Sequence, residues 1–210
     1  MIKALILVDL QNDFCPGGAL AVTEGNEIIP VINKLQEKFD FIVATQDWHP
    51  TDHVSFAANH ENKKIGDLIP WGNSQQILWP VHCVQKSDGA EFVKELDTHK
   101  IKKIIQKGTD KMVDSYSGFF DNDQKSSTGL GEYLKNQGID EVYIAGLATD
   151  YCVKYTVLDA LKLGFKTNLI LDASRGVNLN KNDVENAVKE MKDSGAKVVS
   201  SKDILSLQTV

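Results

Sequence analysis

Within residues 141–164, EVYIAGLATDYCVKYTVLDALKLG, the apolar period changes, and this constrains the fold more tightly than any other feature of the chain. Val142, Tyr143 and Ile144 are strand formers, and Ala145 and Gly146 are small enough for close packing. Val153, Val157, Ala160 and Leu161 then recur on one face at helical period. Between them, residues 146–150 read as a tight turn in which Thr149 or Asp150 caps the helix by accepting a backbone N–H. Cys152 therefore falls in the first helical turn. There the free N–H groups and the positive end of the helix dipole favour a thiolate and can hold a developing oxyanion. A strand–turn–helix that presents one nucleophile at a helix start is a catalytic device used by several folds. A lone cysteine at such a place is also often a small buried hydrophobe, so its role depends on its neighbours.

The same alternation runs through most of the chain. Residues 4–8 form a continuous apolar run, the mark of a strand buried on both faces, which stops at Asp9. The loop 11–18, with Pro16-Gly17-Gly18, breaks the chain. Asn26 opens a helix predicted to reach about Phe39, with Pro30 tolerated near its first turn. Further strands are predicted at 41–45, 101–106, 167–171 and 196–199. Further helices are predicted at 90–96, 128–136 and 181–193, with a turn or short helix at 203–207. Asp172 is expected to end its strand and cap the turn that follows. Residues 50–84 show little regular pattern and carry Pro70, Trp71, Gly72, Trp79 and Pro80. A long aromatic loop inside a compact domain is usually a lid or pocket wall. The pattern predicts an α/β fold, a parallel sheet with helices on both faces, with ligands bound beyond the carboxyl ends of the strands.

The 210 residues, 42% hydrophobic, suit a single domain over 1–210 with a metal or lid loop at about 47–84. A net charge of −6, with no run of Lys or Arg, argues against nucleic acid and anionic membrane as partners. The opening MIKALILVDL holds too short an apolar run for a signal peptide, and nothing approaches the length of a membrane span. Three cysteines, Cys15, Cys83 and Cys152, fit reduced thiols in a cytoplasm better than a disulfide framework. A homo-oligomer is compatible with all of this.

Asp9, Asp47, His49, Lys107 and Cys152 each follow a predicted strand, so a parallel sheet would gather them at one edge. An Asp, a Lys and a Cys together make an activated-thiol site: the carboxylate takes and returns a proton, and the ammonium stabilises the thiolate. Asp47 and His49 stand two apart on an extended segment and point the same way, which suits a shared divalent metal such as zinc or iron. His82 and His53 are the candidate third and fourth ligands. Phe14, Trp71 and Tyr116 can wall an apolar slot for a flat ring.

The segments ALILVDLQNDF, TQDWHPTDHVSF, WPVHCV, QKGTD, YSGF and AGLATDYCV, in this order from residue 4 to residue 153, resemble nicotinamidases of the isochorismatase-like hydrolase superfamily. The resemblance implies a three-layer α/β/α fold around a mainly parallel six-stranded, Rossmann-like sheet. It implies Asp9, Lys107 and Cys152 as a catalytic triad and an oxyanion hole from the backbone N–H groups of Ala148 and Cys152, beside a cis peptide at Leu147–Ala148. Asp47, His49 and His82 match the family's metal ligands. Position 53 is a further ligand in some members and a water-bridged neighbour in others. The metal would be zinc in the first place, with iron or manganese as alternatives. Phe14, Trp71 and Tyr116 match positions that contact the ring. The activity so implied is hydrolysis of nicotinamide to nicotinate and ammonia through a Cys thioester, in NAD salvage, with pyrazinamide as a further substrate. Another Cys amidase acting on a carbamoyl or ureido substrate, or a non-catalytic binding protein on this fold, are the alternatives.

Overall fold

The computed structural model describes residues 2–72 and 74–206. Its elements are β1 (Ile2–Val8), α1 (Ile29–Gln36), β2 (Ile42–Asp47), β3 (Leu68–Trp71), β4 (Ser74–Ile77), β5 (Ile101–Lys107) and α2 (Leu130–Asn136). After these come β6 (Ile139–Leu147), α3 (Lys154–Lys162), β7 (Lys166–Arg175), α4 (Asp183–Asp193), β8 (Lys197–Val199) and α5 (Ser201–Leu205). Leu207, the end of the expected final turn, lies outside the described residues.

Strand β1 shows how the layers arise. Successive side chains on a strand point to opposite faces. Leu5 and Leu7 enter a core with Ile29, Ile32 and Leu35 of α1 and Ile204 of α5. Ala4, Ile6 and Val8 enter a second core with Leu130 and Leu134 of α2, Val157 and Ala160 of α3, and Ala187 and Met191 of α4. An apolar run with no alternation is what a strand covered on both faces requires. The sheet between the two cores has six strands in the order β5-β2-β1-β6-β7-β8, and every pairing is parallel. This is the three-layer α/β/α arrangement. β3 and β4 form a separate antiparallel hairpin in the 47–84 region.

Three local expectations are corrected. Residues 90–96 are not a helix: a 3-10 turn at Asp88–Ala90, capped by the Ser87 hydroxyl, gives way to extended backbone at Glu91, and Phe92 bridges antiparallel to Gln11. Tertiary pairing there overrides local propensity. Asp172 does not end its strand, because β7 continues to Arg175. Its carboxylate instead caps α5, accepting Ser201 N–H at 2.7 Å and Ser201 O–H at 2.6 Å. Neither Thr149 nor Asp150 caps α3. One π-helical turn, Thr149–Val153, precedes that helix, and Asp150 reaches away to accept the N–H groups of Val177 and Asn178 at 2.9 and 2.7 Å.

Candidate active site and cation group

Four strand ends build the site. Asp9 follows β1, Asp47 ends β2, Lys107 ends β5, and the turn carrying Cys152 follows β6. β2 and β5 pair with Asp47 directly opposite Lys107, so register alone brings those two side chains together. The ammonium of Lys107 is fully buried. Its Nζ lies 2.9 Å from Asp9 Oδ2, donates to the Ser115 carbonyl at 2.8 Å, hydrogen-bonds Asp47 Oδ1, and stands 3.6 Å from Cys152 Sγ. Asp9 Oδ1 accepts the Thr45 hydroxyl at 2.6 Å. Ligand atoms of Asp9, Asp47 and Cys152 all lie within 4.8 Å of one another.

One cation between two buried carboxylates drives their proton affinities apart. Burial raises Asp47, but Lys107 and His49 together hold it well below the usual carboxylate range. Burial raises Asp9, and the neighbouring Asp47 charge adds to this, so it stays above its ordinary value despite Lys107 and Thr45. Lys107 stays charged: burial lowers it, but Asp47 and Asp9 raise it further. Cys152 departs from the sequence expectation of a resting thiolate. Burial pushes the thiol well above its ordinary value, and Asp9 and Asp47 add to that against the opposing pull of Lys107. The resting group is a thiol beside a carboxyl poised to exchange its proton.

Next to this group, Asp47, His49 and His82 are all buried and could hold a metal ion. His49 Nδ1 donates to the Gly108 carbonyl at 2.9 Å, and His82 Nδ1 donates to the Pro80 carbonyl at 2.8 Å. A carbonyl only accepts, so each ring carries a proton on Nδ1 and turns its Nε2, the atom that could ligate a cation, toward the group. Those atoms face Asp47 Oδ2 at 3.4 and 3.8 Å. Two imidazoles with backbone-oriented tautomers and one carboxylate fit a divalent cation.

His53 is differently arranged. Its ring lies 4.2 Å from that of His49. Its Nδ1 accepts from the Ser55 hydroxyl at 2.7 Å and the Ser55 N–H at 3.3 Å, which puts the proton on Nε2, facing the Val113 carbonyl at 3.4 Å. Burial and the adjacent His49 push His53 down to about 4, so it is a neutral imidazole. It groups with His49 and Asp114 rather than with Asp47 and His82.

A narrow slot joins the thiol to the cation group, lined by Phe14, Trp79, His82, Tyr116, Ala148 and Cys152, among others. Tyr116 stays a phenol, raised by burial, and its hydroxyl accepts Trp79 Nε1–H at 3.0 Å. The Leu147–Ala148 peptide is cis, and Ala148 and Cys152 both line the slot. Trp71 does not line it. Trp71 borders a neighbouring groove and donates Nε1–H to the Met112 carbonyl at 2.6 Å. The tryptophan of the slot is Trp79, which sequence reasoning passed over although it stands three residues before His82 in WPVHCV. Asp114, also on the slot, was missed for a better reason: it is one of several acidic residues in a loop with no period.

The isochorismatase-domain family matches residues 3–203. The nicotinamidase of Acinetobacter baylyi is 48% identical over 202 residues, covering 96% of this chain and 94% of that protein. Among solved structures, a nicotinamidase and pyrazinamidase of Acinetobacter baumanii superposes with a TM-score of 0.94 at 47% identity, covering 96% of this chain and 97% of that one. The pyrazinamidase of Pyrococcus horikoshii in complex with zinc superposes with a TM-score of 0.78 at 42% identity, covering 95% and 99%. Likeness of this extent, carried by sequence and backbone together, places the chain in the isochorismatase-domain family, among the nicotinamidases.

Proposed function

We propose that this chain is an amidohydrolase that converts nicotinamide and water to nicotinate and ammonia, with Cys152 as nucleophile, in NAD salvage, and that it accepts pyrazinamide as well. The observation that carries the reading is the position of Lys107 Nζ, 2.9 Å from Asp9 and 3.6 Å from the Sγ of Cys152, which lines the slot. The similarity to nicotinamidases supplies the substrate class.

Asp9 takes the thiol proton as Sγ attacks the amide carbonyl carbon, and Lys107 stays charged and steadies both partners. The backbone N–H groups of Ala148 and Cys152 receive the developing oxyanion; one such donor is worth roughly 3–4 kcal/mol. Asp9 passes the proton to the departing ammonia, and the carbonyl stays on Sγ as a thioester. Asp9 then deprotonates the water that opens the thioester, releasing nicotinate and restoring the thiol. Phe14, Trp79 and Tyr116 hold the ring. Asp47, His49 and His82 would hold a divalent cation, zinc in the first place, the metal with which the similar Pyrococcus horikoshii pyrazinamidase forms a complex. Such a cation supplies an electrophilic anchor for the ring nitrogen. His53, whose ring packs on that of His49, would be a further ligand or a water-bridged neighbour of that cation. Residues 1–210 act as one domain, and three unbridged cysteines suit a reducing cytoplasm. Among the described residues no helix is long and apolar enough to cross a membrane.

Ammonia release from nicotinamide, followed in a coupled assay with and without a strong chelator, tests the reading. Turnover that falls on chelation and returns with zinc is the expected result; no turnover by metal-loaded protein overturns it.

A further inference from the structure

Two polar side chains just after β1 take no part in the reaction above, yet they hold its cation group from both sides. Gln11 is fully buried. Its Nε2 donates to the carbonyls of Asp47 and Ala90, each at 2.8 Å, and its Oε1 accepts the Asp47 N–H at 2.8 Å. One side-chain amide thus satisfies both backbone groups of the residue whose carboxylate heads the cation group. Asp13 lies beyond the first residue of the 3-10 turn Asn12–Phe14. Its Oδ2 accepts the N–H of Cys83 at 2.7 Å, and its Oδ1 accepts the N–H of Ala19 at 3.1 Å.

Cys83 directly follows His82 and holds φ at 45°, a left-handed conformation that a side chain rarely adopts without an outside partner. Packing on the Asp13 carboxylate is close: a Cβ at Gly89 would lie 2.1 Å from Oδ2. Phe14, next along, packs its ring 5.6 Å from that of His82. Asp47 and His82 come from segments far apart in sequence, and a cation tolerates only tenths of an ångström in its ligand distances. The stretch 11–14 touches the backbone at Asp47, the backbone after His82 and the His82 ring, and so braces the direct pairing of His49 with Cys83 and Gln85.

We propose that Gln11 and Asp13 are positioning residues that set the spacing between Asp47 and His82. This rests on reading Asp47, His49 and His82 as a cation site. The test uses the purified, metal-stripped chain titrated with Co(II), read by its visible absorption and by competition with a chelating dye. Gln11→Met removes all three amide hydrogen bonds, and Asp13→Asn sets a donor against the N–H of Cys83 or of Ala19. Both variants are expected to weaken Co(II) binding ten- to a hundredfold and to alter the Co(II) absorption. Asn12→Ala, which removes only the 2.7 Å bond from Asn12 Nδ2 to the Asp88 carbonyl in the same turn, is expected to bind as the parent does. Should Gln11→Met fail to fold, Gln11→Glu keeps the acceptor for Asp47 N–H and loses only the donors, and a smaller loss in the same direction is expected.

A merely structural role would lower the melting temperature of the metal-free variants and leave Co(II) affinity and spectrum unchanged; that result overturns the proposal. Equal losses in all three variants, Asn12→Ala included, overturn it too. A parent chain that takes up no Co(II) overturns the cation-site reading and this inference together, whereas a parent that binds, with variants that bind equally, overturns this inference alone.

Discussion

The carbonyl of Gly108 receives the Nδ1 proton of His49 at 2.9 Å, so the residue after Lys107 orients an imidazole of the cation group. Two functional groups are thereby tied through one peptide unit: the ammonium at 107 reaches the thiol, and the carbonyl at 108 fixes a histidine. Gly108 holds φ at 60°, and a Cβ built on it would lie 2.3 Å from His49 Cε1. Both the backbone conformation and the space require glycine there.

Gly108→Ala therefore acts on the histidine as well as on the turn. Left-handed backbone costs a residue with a Cβ about 1–2 kcal/mol, and the clash with the ring adds to that. The ring cannot retreat without losing its hydrogen bond. The expected outcome is a several-fold loss of bound metal together with a lower melting temperature, measured by elemental analysis and calorimetry. Full metal content in the variant would show that the Gly108 contact does not orient His49.

Cys152→Ala removes the nucleophile and little else, since the side chain is small and belongs to the same apolar core as Val153, Val157 and Ile144. Removal of a nucleophile from a group that acts as a unit is expected to lower kcat by ~10³-fold or more. Phe14, Trp79 and Tyr116 are untouched, so nicotinate should still bind. Ammonia release and calorimetric titration with nicotinate check the two halves separately; near-normal turnover would exclude the thioester route.

The two tryptophans of the long loop should separate in kinetics. Trp79 lines the slot and donates to Tyr116, so Trp79→Phe loses a partly buried hydrogen bond and part of the ring wall. KM for nicotinamide is expected to rise roughly tenfold, equivalent to about 1.4 kcal/mol of binding. Trp71 faces the neighbouring groove, and Trp71→Phe is expected to leave KM within about twofold, the usual size of a change remote from the site. Steady-state kinetics on both variants decide it; the reverse ranking would move the slot wall to Trp71.

The strand ends that carry Asp9, Asp47 and Lys107, and the turn that carries Cys152, were legible because strand and helix periods are local and a parallel sheet collects its carboxyl ends. What lay outside local pattern was not legible. Trp79 and Trp71 share a loop without period, and only the fold of that loop separates them. Residues 90–96 carry a helical pattern, but an isolated bridge between Phe92 and Gln11 interrupts it, and a turn from Val93 to Leu96 follows. The protonation of Cys152 depends on how completely the thiol is buried, and burial there outweighs the Lys107 charge. Asp172 and Asp150 have partners 29 and 27 residues away, beyond the reach of any capping rule.

Acid should weaken the fold through Glu141, far from the site. Its carboxylate accepts from Asn168 Nδ2 at 3.0 Å and Tyr143 O–H at 3.1 Å, and Lys166 Nζ lies 3.2 Å away. Burial raises this carboxyl, but the three partners outweigh it and hold it below its ordinary value. A group bound more acidic in the fold than in the unfolded chain stabilises the fold above its unfolded pKa, about 4.3 for Glu. That contribution is lost as pH falls through the lower, folded value. Glu141→Gln keeps the shape and one acceptor but loses the charge. At neutral pH it is expected to cost roughly 1–2 kcal/mol, the worth of hydrogen bonds to a charged group, discounted because Lys166 is largely exposed. Urea unfolding of parent and variant should show that gap constant near neutrality and closing below the unfolded pKa; a gap that widens in acid would reverse the sign argued here.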